Sequence, residues 1–218
     1  GFEALKGFTT GQYNTAIGWQ AGLAITSAQS NTLVGYGAGD SLTSGGQNAA
    51  FGGGSLSTVT TAQNCVALGT NAMSDAKAAV AITGVVAIGQ NAVLGNGSNT
   101  TGINHTIGIG YSALQSLTTG AQNIAIGYQA LDALTEGYNN TVIGYQAGTS
   151  ISSTTSQNNT LVGRNAGTGG SGVLSYCTAI GSGALDGTGV RNNQMSTAVG
   201  MNALGGSQGG TVGLNTAI

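Results

Sequence analysis

A nine-residue phrase, Asn-Thr-Val-Ile-Gly-Tyr-Gln-Ala-Gly at residues 140–148, returns in close copies along the whole chain, and this recurrence constrains the fold more than any other feature. Clear copies begin at Asn14, Asn31 and Asn123. Taking the glycine of each phrase as an anchor gives Gly1, Gly18, Gly35, Gly52, Gly69, Gly89, Gly110, Gly127, Gly144, Gly163, Gly181 and Gly200. Successive anchors are 17, 17, 17, 17, 20, 21, 17, 17, 19, 18 and 19 residues apart. A fixed period of ~20 residues marks an array in which each repeat is one coil stacked on the last. Residues 1–218 are therefore read as a single repetitive all-β domain, a parallel β-solenoid of about twelve coils of 17–21 residues. With ~4.8 Å between stacked strands it would be ~55 Å long.

The residue just before the anchor is Ile, Val, Leu or Phe in every copy, as in Ile17, Val34, Phe51, Ile126 and Ile143, and it reads as the core position. The residue before that is also apolar, as in Ala16, Leu33, Ala125 and Val142. Successive strand residues point to opposite faces, so apolar residues at both positions predict a strand covered on both sides, with a second chain supplying the outer cover. Seven residues after the anchor a further apolar row, Phe8, Ile25, Leu42, Val59, Ala76, Leu117, Leu134 and Ile151, reads as the opposing strand. Gly or Ala three residues later, as in Gly11, Gly45 and Gly120, reads as a tight turn. Ala recurs three residues after the anchor, with Ser55 as the exception, which predicts close backbone approach at a bend or between subunits. Asn at the start of the phrase, in Asn14, Asn31, Asn48, Asn123, Asn140, Asn159 and Asn215, would stack as an amide ladder. The period loosens over residues 74–106, 149–158 and 168–196, where residues 95–99 and 168–172 read as loops and residues 74–80 as a turn or two of helix.

Hydrophobic residues make up 40% of the chain, so it has the means to fold, while charged residues are only 5% against ~25% in typical soluble domains. Four basic and six acidic residues, a net charge of -2, leave no basic stripe for a phosphate backbone, which excludes nucleic acid as a partner. No apolar run is long enough to cross a membrane. Cys65 and Cys177 occupy the ladder slot six coils apart, ~29 Å at the strand spacing, and so cannot form a disulfide. His105 is the only histidine and the carboxylates are scattered, so no catalytic residue, metal site or cofactor is assigned and the chain is not read as an enzyme. Asn96, Asn99, Asn104, Asn139 and Asn158 begin glycosylation sequons, at a frequency an Asn- and Thr-rich chain produces by chance.

One column carries a candidate binding surface. Directly after the anchors come Trp19 and Tyr36, then Tyr111, Tyr128 and Tyr145 on three consecutive coils. Stacked at the strand spacing, the three tyrosines would form an aromatic strip ~10 Å long, either a sugar-binding surface or an ordinary aromatic ladder.

The recurrent N-T-A-I-G-Y-Q-A unit, seen over residues 123–131 and 140–148, resembles the repeats of phage tail fibres and related trimeric fibre proteins. It is also similar to the S-V-A-I-G repeats of trimeric autotransporter adhesin heads, although the longer coil here favours the tail-fibre likeness. The resemblance covers essentially the whole chain. It implies a homotrimer of left-handed parallel β-rolls, in a virion tail fibre or at the cell surface, attaching to a host surface glycan or receptor. An ice-binding solenoid is a third reading; it calls for ordered pairs of threonine on a flat face, whereas Thr15, Thr32, Thr141, Thr160, Thr178, Thr197 and Thr216 give only one per coil. Neither end of the sequence resembles a solenoid cap, and the two ends are in phase, so further fibre segments are expected at both.

Overall fold

The computed structural model describes residues 1–76, 81–95, 102–151, 156–168, 173–187, 193–206, 212–213 and 215–218. A short strand precedes each anchor from Gly18 onward, and a last one, Thr216–Ala217, falls where the next coil begins. All twelve run parallel in one sheet, in chain order from Thr15–Ile17 and Thr32–Val34 to Thr197–Val199 and Thr216–Ala217. The register ignores coil length. Thr141 pairs with Thr160 and Ile143 with Val162 across a 19-residue coil, just as Thr15 pairs with Thr32 across a 17-residue one. The same holds where the spacing is 21, with Val86 opposite Ile107. The described residues contain no helix, and the molecule is an all-β parallel solenoid.

The backbone is repeated corner by corner. At the anchor the chain leaves the strand with φ near +134°, as at Gly69, where a Cβ would stand 2.7 Å from the carbonyl oxygen of Gly89 in the next coil. No side chain fits there, because stacked anchors approach backbone to backbone, and this is why the glycine recurs. The residue two after the anchor, such as Gln129 or Asn165, lies in the left-handed region, and so does the one five before the next anchor, such as Gln47 or Asn139. Gln, Asn and Ser suit these corners, since short polar side chains tolerate that conformation best among non-glycine residues. The residue four after the anchor is left-handed too, yet it is often large: Leu56, Met73, Val93, Leu114, Leu131 and Leu185. Their side chains are buried, so packing holds them in a conformation their propensity disfavours.

The opposing layer lies elsewhere than the sequence predicts. The row seven residues after the anchor is buried, from Ile25 and Leu42 to Leu117, Leu134 and Ile151, although Phe8 in the first coil is exposed. It is irregular backbone just beyond the bend rather than a strand. The second set of strands is only two residues long and starts seven residues before the next anchor. Gly137–Tyr138, Ser156–Gln157, Leu174–Ser175, Asn193–Gln194 and Val212–Gly213 form one such sheet, and Ala62–Gln63 pairs with Ile82–Thr83 in another. Single bridges link Gln12, Gln29, Gly46 and Gln63 at the same level of earlier coils. Gly45 and Gly120, read above as turn residues, therefore border this layer. Ser74, Asp75 and Ala76 are not helical; the rest of that stretch, residues 77–80, lies outside the described residues. Most of the two loops read at residues 95–99 and 168–172 lies outside them as well.

The facing of the main strand is a second correction. The residue two before the anchor points inward: Leu33, Ala50, Ala67, Ala87, Ala125, Val142, Leu161, Ala179 and Ala198 are fully buried. The residue just before the anchor, expected in the core, points outward. Ile17 is 59% exposed and Ile143 38%, while Ile126 is only partly covered. Strand alternation lets only one of the two apolar neighbours face inward, and here it is the one two before the anchor. A coil interior takes one inward residue from the main strand, the Ala three after the anchor, which is buried at the bend, and one side chain from the row four after the anchor.

These rows compensate each other in volume. Where the inward strand residue is Ala, the residue four after the anchor is usually large, as in Ala50 with Leu56, Ala67 with Met73 and Ala125 with Leu131; Ala16 with Gly22 is the exception, the space beside Gly22 being bounded by Leu5, Ile25 and Leu33. Where the strand residue is leucine, its counterpart is glycine, as in Leu33 with Gly39 and Leu161 with Gly167. A Cβ on Gly39 would lie 2.9 Å from Leu33 Cδ2, and one on Gly167 2.7 Å from Leu161 Cδ1. Each pair fills one space, as close packing of an interior requires.

Candidate functional site

The ladder slot, four residues before each anchor, ties the two layers together. Asn31 Nδ2 donates to Asn14 Oδ1 at 2.9 Å and to the Gly45 carbonyl at 3.2 Å, and Asn48 repeats the pattern on Asn31 and the Ala62 carbonyl. A second run joins Asn123, Asn140 and Asn159, all buried. Both runs end in cysteine, whose backbone N–H donates to the last amide oxygen: Cys65 to Asn48 at 2.9 Å and Cys177 to Asn159 at 3.0 Å. Neither cysteine forms a disulfide, both thiols are buried, and burial pushes them above the ordinary thiol range, away from reactivity. Between the runs the slot holds Val85 and Thr106, and the Thr106 hydroxyl is buried without a hydrogen-bond partner.

The aromatic column forms as two stacks. Trp19 and Tyr36 lie with ring centroids 4.7 Å apart and planes 15° from parallel. Tyr111, Tyr128 and Tyr145 follow at 5.3 and 5.2 Å, within 11° of parallel. All five rings are exposed at their edges. Stacking along the axis has a chemical consequence: both faces of Tyr128 are covered by its neighbours. A sugar ring stacks on an aromatic face, so the strip offers phenol edges and hydroxyls outward, with a face unclaimed by another ring only at each end of a stack.

Asp40 and Asp132 are half-buried and burial raises both above the ordinary carboxylate range. Glu3 is held below it by hydrogen bonds from Gln20 and then Lys6. Among the described residues no three His, Cys, Asp or Glu side chains come together as metal ligands would. Asn104 and Asn139, two of the sequon residues, make hydrogen bonds within the stack, Asn104 Oδ1 accepting from the Thr83 N–H and Asn139 Nδ2 donating to Asn158 Oδ1. Asn96 and Asn99 lie outside the described residues.

The sequence predicts an apolar outer face on the main strand but assigns the residue just before the anchor to the core, whereas the structure places that residue on the outer face. The outward positions of the twelve-stranded sheet, one and three residues before the anchor, carry two parallel columns. Over the middle coils both are aliphatic: Val66 and Leu68, Val86 and Ile88, Ile107 and Ile109, Ile124 and Ile126. Towards the ends the inner members become threonine, as in Thr15, Thr160 and Thr178. Eleven strand spacings give a stripe ~53 Å long and ~10 Å wide, on the order of 500 Å², at the upper end of what a monomer leaves open to water. Comparison of the chain with protein-family models, curated proteins and solved structures finds no match, so its function is read from these surfaces.

Proposed function

We propose that the chain is a segment of a homotrimeric attachment fibre, of the tail-fibre kind on a virion or the adhesin kind on a bacterial surface, which meets a host surface glycan or receptor. The observation that carries this reading is the aliphatic stripe. It is two aliphatic side chains wide over the middle four coils and one wide beyond them, which suits packing of parallel copies around a common axis. Trimer packing would bury it along its whole length, and burial at ~25 cal/mol per Å² makes a stripe of this size a strong drive to assembly. The near absence of charge, the exposed Trp19 ring and the hydroxyl edges of Tyr36, Tyr111, Tyr128 and Tyr145 suit the rest of the surface to a neutral, polar contact. Native mass spectrometry and light scattering test assembly directly. The expected species is three chains, and Ile126→Asp together with Ile109→Asp should give folded monomers; a monomeric parent protein refutes the reading.

The outward threonines favour a second reading, an ice-binding face, because seven of the twelve coils present Thr beside an aliphatic residue on one parallel sheet. The two readings use the same face and exclude each other. Thermal hysteresis from a monomer would establish the second.

A further inference from the structure

The two-residue strands carry an outward column six residues before each anchor: Gln12, Gln29, Gly46 and Gln63, bridged in register. Gly46 breaks this column. Between Gln29 and Gln63, two coil steps or ~9.6 Å apart, no side chain stands, and the gap opens a groove of about 490 Å³. This lies within the ~300–1,000 Å³ usual for small-molecule sites. Its walls are Gln29, Gln63, Ser44 and Gln47, with Gly45 and Gly46 between them. All four wall side chains are exposed. The groove is separated from the aliphatic stripe by the left-handed corner at Ser30, Gln47 and Asn64, so it belongs to a different face of the coil.

The chemistry of the lining selects the ligand. It contains no Lys, Arg, Asp or Glu, which removes phosphates, sulfated chains and metal ions. It offers amides, each with two donors and an acceptor, and hydroxyls that both donate and accept. That set matches the mixed donor and acceptor pattern of a neutral polyol. Tyr13, next to Ser30 in the corner column, is 83% exposed, and no aromatic ring covers its face. Tyr13 stands outside the lining, one coil before Gln29, so the groove itself binds through amides and hydroxyls.

We infer that the groove at Gly45 and Gly46 is a binding site for a neutral glycan, one per chain. This deepens the attachment reading and rests on it, but the oligomer measurement above tests assembly without reference to any sugar. The test is isothermal titration of the full chain with dextran, yeast mannan and the hexamer of β-1,4-linked N-acetylglucosamine, with heparin as the charged comparison. Gly46→Gln restores the column and fills the notch, while Gln29→Ala with Gln63→Ala removes its walls. The double change touches only exposed side chains, so it remains informative if a Cβ at Gly46, 2.9 Å from the Gln29 carbonyl oxygen, disturbs the coil. The expected result is saturable binding of at least one neutral probe, weakened tenfold or more by the double change at unchanged thermal stability. Absence of binding to every neutral probe, preference for heparin, or binding that survives the double change overturns the inference.

Discussion

Asn140 is the middle rung of the second amide run, and its truncation gives a graded account of what the ladder contributes. The side chain is 1% exposed. Its Nδ2 donates to Asn123 Oδ1 at 2.9 Å and to the Ser156 carbonyl at 3.1 Å. Its Oδ1 accepts from Asn159 Nδ2 at 2.8 Å and from the Asn159 backbone N–H at 3.2 Å. In Asn140→Ala the Asn159 N–H and one amide hydrogen of Asn159 lose their acceptor in the dry interior. At ~1–3 kcal/mol for each buried polar group left unmade, the loss should be ~2–5 kcal/mol, a large part of a usual total stability of ~5–15 kcal/mol. Asn140→Cys supplies an internal comparison. At Cys65 the thiol reaches the Ile82 carbonyl one coil on at 3.7 Å, the counterpart of the Asn140 contact with Ser156, so the cysteine variant keeps one tie between layers. It should lose less than alanine by only the ~1 kcal/mol of the retained tie, because its sulfur still cannot replace the acceptor that Asn159 loses. Urea unfolding at one fixed protein concentration measures the totals, and amide hydrogen exchange at Asn159 reports the site itself. A loss within ~0.5 kcal/mol, the range of ordinary surface changes, with unaltered exchange at Asn159 would refute this account of the ladder.

Volume compensation is tested by a double-mutant cycle: Ala125→Leu should overpack its coil by ~1–3 kcal/mol and Leu131→Gly should leave a cavity worth ~2–5 kcal/mol. The pair together recreates the Leu33 and Gly39 arrangement and should be milder than either change alone; additive losses in urea titration would refute the shared space. Asp132 supplies a pH prediction. Burial raises its folded pKa above the ordinary 3.8, so the folded protein binds the proton more tightly and stability falls as pH rises through that window. Asp132→Asn should therefore be the more stable protein by a few tenths of a kcal/mol at neutral pH, with the advantage vanishing below the unfolded pKa. Thermal melts at pH 7 and pH 3 compare the two, and an advantage that grows in acid contradicts the sign.

What the sequence disclosed was everything set by backbone repetition. The anchors, the amide ladder, the buried row from Ile25 to Ile151, the stacked tyrosines and the unbridged cysteines all sit where the spacing puts them, because a parallel stack copies each position onto the next. What it concealed was direction. Ala125 and Ile126 are both apolar, and a hydrophobic pattern alone does not say which of two apolar neighbours faces inward; the larger one looked like core. The signal lay in size, since Ala at eight of the twelve positions two before the anchor fits an interior already filled by Leu114, Leu131 and their kin. The second layer was misplaced for a different reason: a strand of two residues leaves no periodicity to detect. The Gly46 groove was legible only once Gln29, Gly46 and Gln63 were known to share a column.

Coils of 17 and 21 residues keep the same register because every surplus residue falls in one interval, after the residue four past the anchor and before the one seven short of the next. The stack is bound like a book. Its spine is the run from the amide slot through the strand to the anchor and its bend, where a single insertion would misalign each level above it. The fore-edge is cut loosely, and leaves of different widths lie there without loosening the binding. A lineage carrying such a chain is thus free to rewrite that margin, lengthening or replacing it coil by coil, while the contacts that order the whole remain as they were.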